Sequence, residues 1–245
     1  MTNLISAEWL KIRKSLGFWI LCGASAAMSA LIVVMFQVYE SEIPIGELLT
    51  GVSGFYQSLG QIQSNIILVS VLASIFVCGE FANRTFGISL FSGYSRRKLM
   101  AAKLIMLFIG AIILTSVMPL IMTTSFSVTN GFSSDTLSSE NVLRDLGLYY
   151  LGILTLASFC AFLTYVIKSV GGSIGAGIGI GMVFAIAGSV PVEGLQQVLK
   201  FTFFQQLAGL GSPDIDVPLY ICVMVVSLAV ILVASIAVFE KSDLK

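Results

Sequence analysis

The chain contains no histidine, and only 11% of its 245 residues are charged. The first absence removes Ser-His and Cys-His nucleophilic sites, His-liganded zinc and HExxH proteolysis together. The second removes the ordinary means of staying in water. A chain that is 57% hydrophobic, with a mean hydropathy of +0.98, cannot cover its own surface with polar groups. Cysteine is scarce too: Cys22, Cys78, Cys160 and Cys222 fall inside or at the edge of apolar runs, with no CxxC spacing for a metal. They read as small apolar packing residues, and no metal site is expected.

What is present is hydrocarbon-length apolar sequence. Crossing about 30 Å of bilayer takes roughly 20 residues, and six runs qualify: 16–38, 62–79, 104–128, 146–167, 170–190 and 217–239. The first is preceded by Lys11, Arg13 and Lys14 and contains Ala-Ser-Ala at 24–26. It continues well past the length of a signal-peptide core, so it reads as a retained span. With the N-terminus in the cytoplasm, six spans return the C-terminus to it. Eleven basic residues then lie inside, and only Arg144 and Lys200 outside, a strong positive-inside bias.

Five of the thirteen Lys and Arg residues lie in the connection from Gly79 to Lys103, which this topology puts in the cytoplasm. Arg96, Arg97, Lys98 and Lys103 suit anchors among anionic head groups, as do Lys11, Arg13 and Lys14 before the first span. Anchoring leaves Phe86, Ile88, Leu90 and Phe91 unexplained, because apolar side chains in a cytoplasmic loop call for a protein partner. Glu80 ends the second span four residues before Arg84, the favourable order for a helical ion pair. A carboxylate at that depth is expensive unless paired, so a structural ion pair is expected there.

At the N-terminus, an elbow helix over 3–15 running on to Leu16 places Ile5, Trp9, Ile12 and Leu16 on one helical stripe and Glu8, Lys11 and Lys14 on the other side, the pattern of an amphipathic helix in the membrane interface. A polar lead-in to the first span is the alternative. Gln61, Gln63, Asn65, Ser70 and Ser74 in the second span suit either a solute path or contacts between helices. In the fifth span, Gly171, Gly175 and Gly179 repeat every four residues, with Gly177 and Gly181 doing so on a neighbouring face. That spacing permits close helix contact, within the chain or with another subunit. Between the last two spans, 191–216 is too polar to cross and too apolar for a plain loop. A short helix or re-entrant segment at the outer surface is expected, with Leu195, Val198, Leu199, Thr202 and Phe203 on one face.

An amphipathic basic elbow, six spans with both ends inside, and Glu80 followed by Arg84-Thr85, Ser95-Arg96 and Lys103 together resemble the permease subunits of ABC-2 type transporters. The likeness is greatest to the bacterial kind serving drug, bacteriocin or lantibiotic export and immunity, many of which end similarly to this chain's FEKSDLK. The resemblance implies one all-α transmembrane domain over 1–245 in the bacterial plasma membrane. It implies a cytoplasmic coupling loop at 82–98 in which Arg84, Thr85, Phe86, Ile88, Leu90 and Phe91 dock an ATPase. Two ATPase copies would carry the ATP and Mg, and a second permease subunit, identical or sister, would complete the path. The chain itself is then not an enzyme and needs no cofactor, and no nucleic-acid partner is expected. The expected function is export of a peptide or amphiphilic drug-like substrate, the alternative being a membrane sensor or scaffold that docks an ATPase without transporting. An exporter also needs an outer closure, and Phe203, Phe204 and Leu207 are the expected gate, meeting their counterparts from the second subunit.

The topology is tested by single cysteines at 47, 90 and 135 in a cysteine-free background. Labelling by an impermeant thiol reagent on intact cells is expected at 47 and 135 and not at 90; the reverse pattern overturns the orientation.

Overall fold

In the computed structural model, the described residues are 2–42, 50–82, 95–132, 141–211 and 215–241. Among them every regular element is helical and no strand occurs. The helices are α1 (Thr2–Lys14), α2 (Leu16–Glu42), α3 (Gly51–Leu59), α4 (Ile62–Ala73), a π-helical turn (Ser74–Cys78), α5 (Gly79–Ala82), α6 (Arg96–Asn130), α7 (Val142–Ile167), α8 (Val170–Ser189), α9 (Glu193–Leu199), α10 (Phe203–Ala208) and α11 (Val217–Lys241). Five are long and apolar enough to cross a membrane, and a sixth crossing follows if Gly51–Leu59 and Ile62–Cys78, bent by 58°, count as one. This is the architecture of a multi-pass helical membrane protein.

The expected second span is present in α4 and its π turn, whereas α3 is not among the expected elements. Its first amides would be orphaned; instead Gly51 N–H donates to Gly131 O (3.0 Å) and Val52 N–H to Phe132 O (2.9 Å), and Thr50 caps the turn through Ser53 N–H. Gly51 and Gly54 let α3 lie directly on Ser127 and Phe126 of α6. A residue with a side chain at 54 would stand in the place of the Phe126 ring.

The core runs along α4, α6 and α7. Pro119 sits inside α6 and supplies no N–H to the Thr115 carbonyl four residues back. Tyr149 of α7, fully buried, donates its hydroxyl to that oxygen (3.2 Å) and toward Asn65 Oδ1 (3.3 Å). Lower on α4, Ser70 Oγ meets Cys160 Sγ at 3.4 Å and Ser74 Oγ meets Ser173 Oγ at 2.7 Å. Asn65, Ser70 and Ser74 thus join helices of one chain; Gln63 is exposed.

Gly177 and Gly181 face Ser70 and Ile66 of α4, whereas a Cβ at Gly171, Gly175 or Gly179 would meet nothing within 4 Å. The close contact made by α8 is therefore internal and uses the second glycine face. The segment after α8 forms α9, α10 and a 3-10 turn, Gly209–Gly211. Leu199 and Phe203 are buried, but Val198, expected on the same face, is 67% exposed and does not share their burial.

Gly54→Ala puts a Cβ against the Phe126 ring and 2.9 Å from the Met122 carbonyl oxygen. It is expected to cost about 1–3 kcal/mol by overpacking, more than the roughly 0.8–1 kcal/mol alanine gains over glycine in an open helix. Gly147→Ala on α7, where a Cβ meets nothing within 4 Å, keeps only the gain. Thermal unfolding in detergent ranks the two, and a Gly54 variant as stable as the Gly147 variant would remove the close α3–α6 contact.

Candidate functional site

Four charged side chains from three separate parts of the chain converge where α1 meets the bundle. Lys103, two turns into α6, is fully buried; its Nζ donates to Glu8 Oε2 at 3.1 Å and to Glu80 Oε1 at 2.5 Å. Lys11 Nζ donates to Glu8 Oε1 and to Glu80 Oε1, both at 2.7 Å, from a side chain that is 48% exposed. Each lysine bridges both carboxylates, so these four charges balance one another. Phe76 covers it from the π turn, its ring centroid 5.0 Å from Lys103 Nζ.

Local structure explains the aim of each group. Glu8 and Lys11 stand three residues apart on α1 and therefore share a face. The π turn at Ser74–Cys78 widens the helix by one residue, which changes the direction of every side chain after it and brings Glu80 towards α1 and α6. Ser95 caps α6, accepting from Lys98 N–H, so the helix begins early and Lys103 lies on regular helix instead of in a loop.

Two sequence expectations are corrected here. Lys103 is no surface anchor, since its side chain is wholly enclosed; a lysine this deep is held by two carboxylates, not by lipid head groups. The buried stripe of α1 is Leu4, Glu8 and Ile12, while Trp9 is 42% and Leu16 74% exposed. The helix thus turns its acidic residue inward, because a partner charge waits there. Arg13, Lys14, Arg96, Arg97 and Lys98 are exposed, as anchors require. Arg84, Thr85, Phe86, Ile88, Leu90 and Phe91 lie outside the described residues, and so does the expected Arg84 partner of Glu80. The pairings that sequence reasoning missed, Glu8–Lys103 above all, join positions 95 residues apart, and only the cost of an unpaired Glu80 signalled that a partner had to exist.

The expected outer gate is also redrawn. Phe203, Phe204 and Leu207 are at most 9% exposed within the single chain. Phe204 stacks on Phe184 of α8 (4.8 Å between centroids, 17° between planes), and both Phe203 and Phe204 lie 5.4 Å from Phe159 of α7. Leu207 packs over Gly152 beside the Tyr220 hydroxyl. These side chains are turned inward onto their own bundle, so they are not presented to counterparts on a second subunit. Nearby, Asp145 accepts from the Tyr56 hydroxyl and from Arg144 Nε, both at 2.8 Å, tying α3 to the start of α7. Among the described residues no three His, Cys, Asp or Glu converge as a metal site.

Residues 18–245 match the family described as a protein of unknown function, DUF2705. The match covers most of the chain, and the chain belongs to that family. No curated protein and no solved structure matches it.

Burial draws the Lys11 ammonium down, but the hydrogen bonds from Glu8 and Glu80 and their charge outweigh this, and its pKa lies above the ordinary lysine value. A raised pKa stabilises the fold at every pH below the ordinary lysine range, and the contribution fades only as pH rises through the higher value. The contribution of Lys11 is thus kept across neutral pH. Lys103→Met leaves buried Glu8 and part-buried Glu80 sharing the half-exposed Lys11 as the remaining partner of the four and is expected to cost about 3–5 kcal/mol. Lys11→Met, at a half-exposed pair, is expected to cost about 0–1 kcal/mol. Yield and Tm in detergent read the difference, and equal losses would refute the assignment of Lys103 as the centre of the cluster.

Proposed function

We propose that the chain is the membrane-spanning permease subunit of an ABC-2 type exporter, moving a peptide or amphiphilic drug-like substrate while a separate ATPase hydrolyses ATP. The observation that carries this reading is the charge clamp. Glu80 stands at one end of the connection that the resemblance assigns to ATPase docking, and Lys103 stands on the helix that follows its other end. Their mutual contact, together with Glu8 and Lys11 of α1, fastens both ends of that connection to one rigid base. A docking segment transmits force only if it is tied to the spans it must move. A displacement there is passed to α1, α4 and α6 together, which is what an ATP-driven change of access needs.

In this reading two ATPases bind the cytoplasmic face, and a second permease subunit completes the path in a bacterial plasma membrane. The aromatic layer of Phe159, Phe184, Phe203 and Phe204 closes the far end of each subunit from within. No covalent chemistry falls to this chain.

An affinity-tagged chain purified from its native membrane is expected to bring an ATPase with it. Burying one phenylalanine is worth about 1.5–3 kcal/mol, so Phe91→Ala should weaken the association by about ten- to a hundredfold, and Phe86→Ala with Phe91→Ala should abolish co-purification without loss of membrane insertion. Recovery of no ATPase by the native chain overturns the exporter reading. Recovery at full strength by the double variant overturns the docking role of the segment.

A further inference from the structure

Beside the clamp, between α1, the start of α2 and the end of the second span, lies an open cavity of about 200 Å³. Its floor is apolar, made by Phe18, Leu21, Leu72 and Phe76, and its rim carries Lys11, Ser15 and Glu80. The rim stands at the change from polar to lipid-facing surface. Arg13 and Lys14 are exposed just before Ser15, whereas Leu16, Trp19 and Ile20 just after it are 74%, 57% and 60% exposed. Trp19 donates its indole N–H to Arg13 O at 2.9 Å, the posture of an aromatic residue at a membrane interface. Ile75, on the cavity wall, is itself 41% exposed, so the opening continues onto surface that faces hydrocarbon.

The polar atoms on the rim define what can enter. An ammonium has three donors, and Lys11 uses two, on Glu8 and Glu80; the third has no acceptor among the described residues. Ser15 Oγ accepts from Phe18 N–H at 3.3 Å, which leaves its own proton for a ligand. Two donors at the head of an apolar slot suit a phosphate with an acyl chain below it. Glu80 adds a second condition. Its carboxylate lines the same cavity as Lys11, so a head group that carries an ammonium beside its phosphate meets opposite charge at both groups, and one bearing only negative charge meets it at Lys11 alone.

From these features we infer that the α1–α2–α4 cavity is a binding site for a zwitterionic aminophospholipid of the phosphatidylethanolamine type, its phosphate on Lys11 and Ser15, its ammonium towards Glu80, and one acyl chain over Phe18, Leu72 and Phe76. This inference is independent of the exporter reading, since it requires only that the chain lie in a bilayer. A lipid seated there packs against the α1–α2 elbow and the clamp at once, and so sets how firmly α1 is held to the bundle.

The full chain is reconstituted in nanodiscs of equimolar phosphatidylethanolamine, phosphatidylcholine and phosphatidylglycerol, extracted into mild detergent, and the retained lipids are counted by mass spectrometry. Phosphatidylethanolamine is expected to be retained several-fold over phosphatidylglycerol. Gly79 lines the cavity and has helical φ and ψ of −56° and −32°, and a Cβ there meets nothing within 4 Å. Gly79→Leu therefore fills the site without touching its charges, and retention should fall at least tenfold with the Tm of delipidated protein unchanged. Ser15→Ala, which removes the hydrogen bond to the phosphate along with the cap on Phe18 N–H, should weaken retention by about three- to tenfold. Equal retention of phosphatidylglycerol overturns the proposal, as does undiminished phosphatidylethanolamine on Gly79→Leu. If Gly79→Leu does not fold, undiminished retention on Ser15→Ala overturns it.

Discussion

An ammonium group enclosed by protein on every side has lost its water, and the loss is tolerable only if opposite charge and hydrogen bonds replace it. Lys103 imposes that constraint on this structure. Its side chain is wholly buried, and the two carboxylates that compensate it come from α1 and from α5. Satisfying Lys103 therefore decides where the N-terminal helix lies, which face it turns inward and where the second span must stop. Lys11 closes the ring from the solvent side, so neither carboxylate serves a single partner.

The π turn is the geometric counterpart of that electrostatic demand. A regular helix through Ser74–Cys78 would carry Glu80 past the cluster; one wide turn redirects it. The turn leaves Phe76 against Lys103 and Ile75 on the membrane-facing side, and it borders the open cavity beneath the α1–α2 elbow. Clamp, hinge and cavity are one local arrangement, and the proposed coupling role and the inferred lipid site both draw on it.

Farther from the clamp, the bundle joins its helices through small residues and hydroxyls rather than through bulk alone. Glycines at 54, 152, 177 and 181 admit a neighbouring side chain where a Cβ would stand, and Tyr149 answers the carbonyl that Pro119 leaves open. In lipid, where apolar surface gains little by meeting other apolar surface, close approach and satisfied polar atoms are what distinguish one helix pairing from another. The aromatic layer around Phe204 follows the same logic from the opposite side, filling the space between α7, α8 and α10 with rings.

By itself the sequence determined the solvent, the helical class and nearly every span, because each depends on local composition summed over about 20 residues. It also required that Glu80 be paired. It could not name the partners, because an ion pair is set by distance in space, and Glu8, Lys11 and Lys103 lie far from Glu80 along the chain. Helix α3 was hidden for a related reason: a nine-residue helix is too short to announce itself by hydropathy and exists because α6 receives its glycines and the two residues just after α6 receive its free amides. The inward turn of Glu8 against the amphipathic pattern, the burial of Phe203 and Phe204 within their own chain, and the cavity beside Lys11 all arise from packing between separate elements. Only the tertiary structure, which brings separated charges and surfaces within a few ångströms, decides such matters.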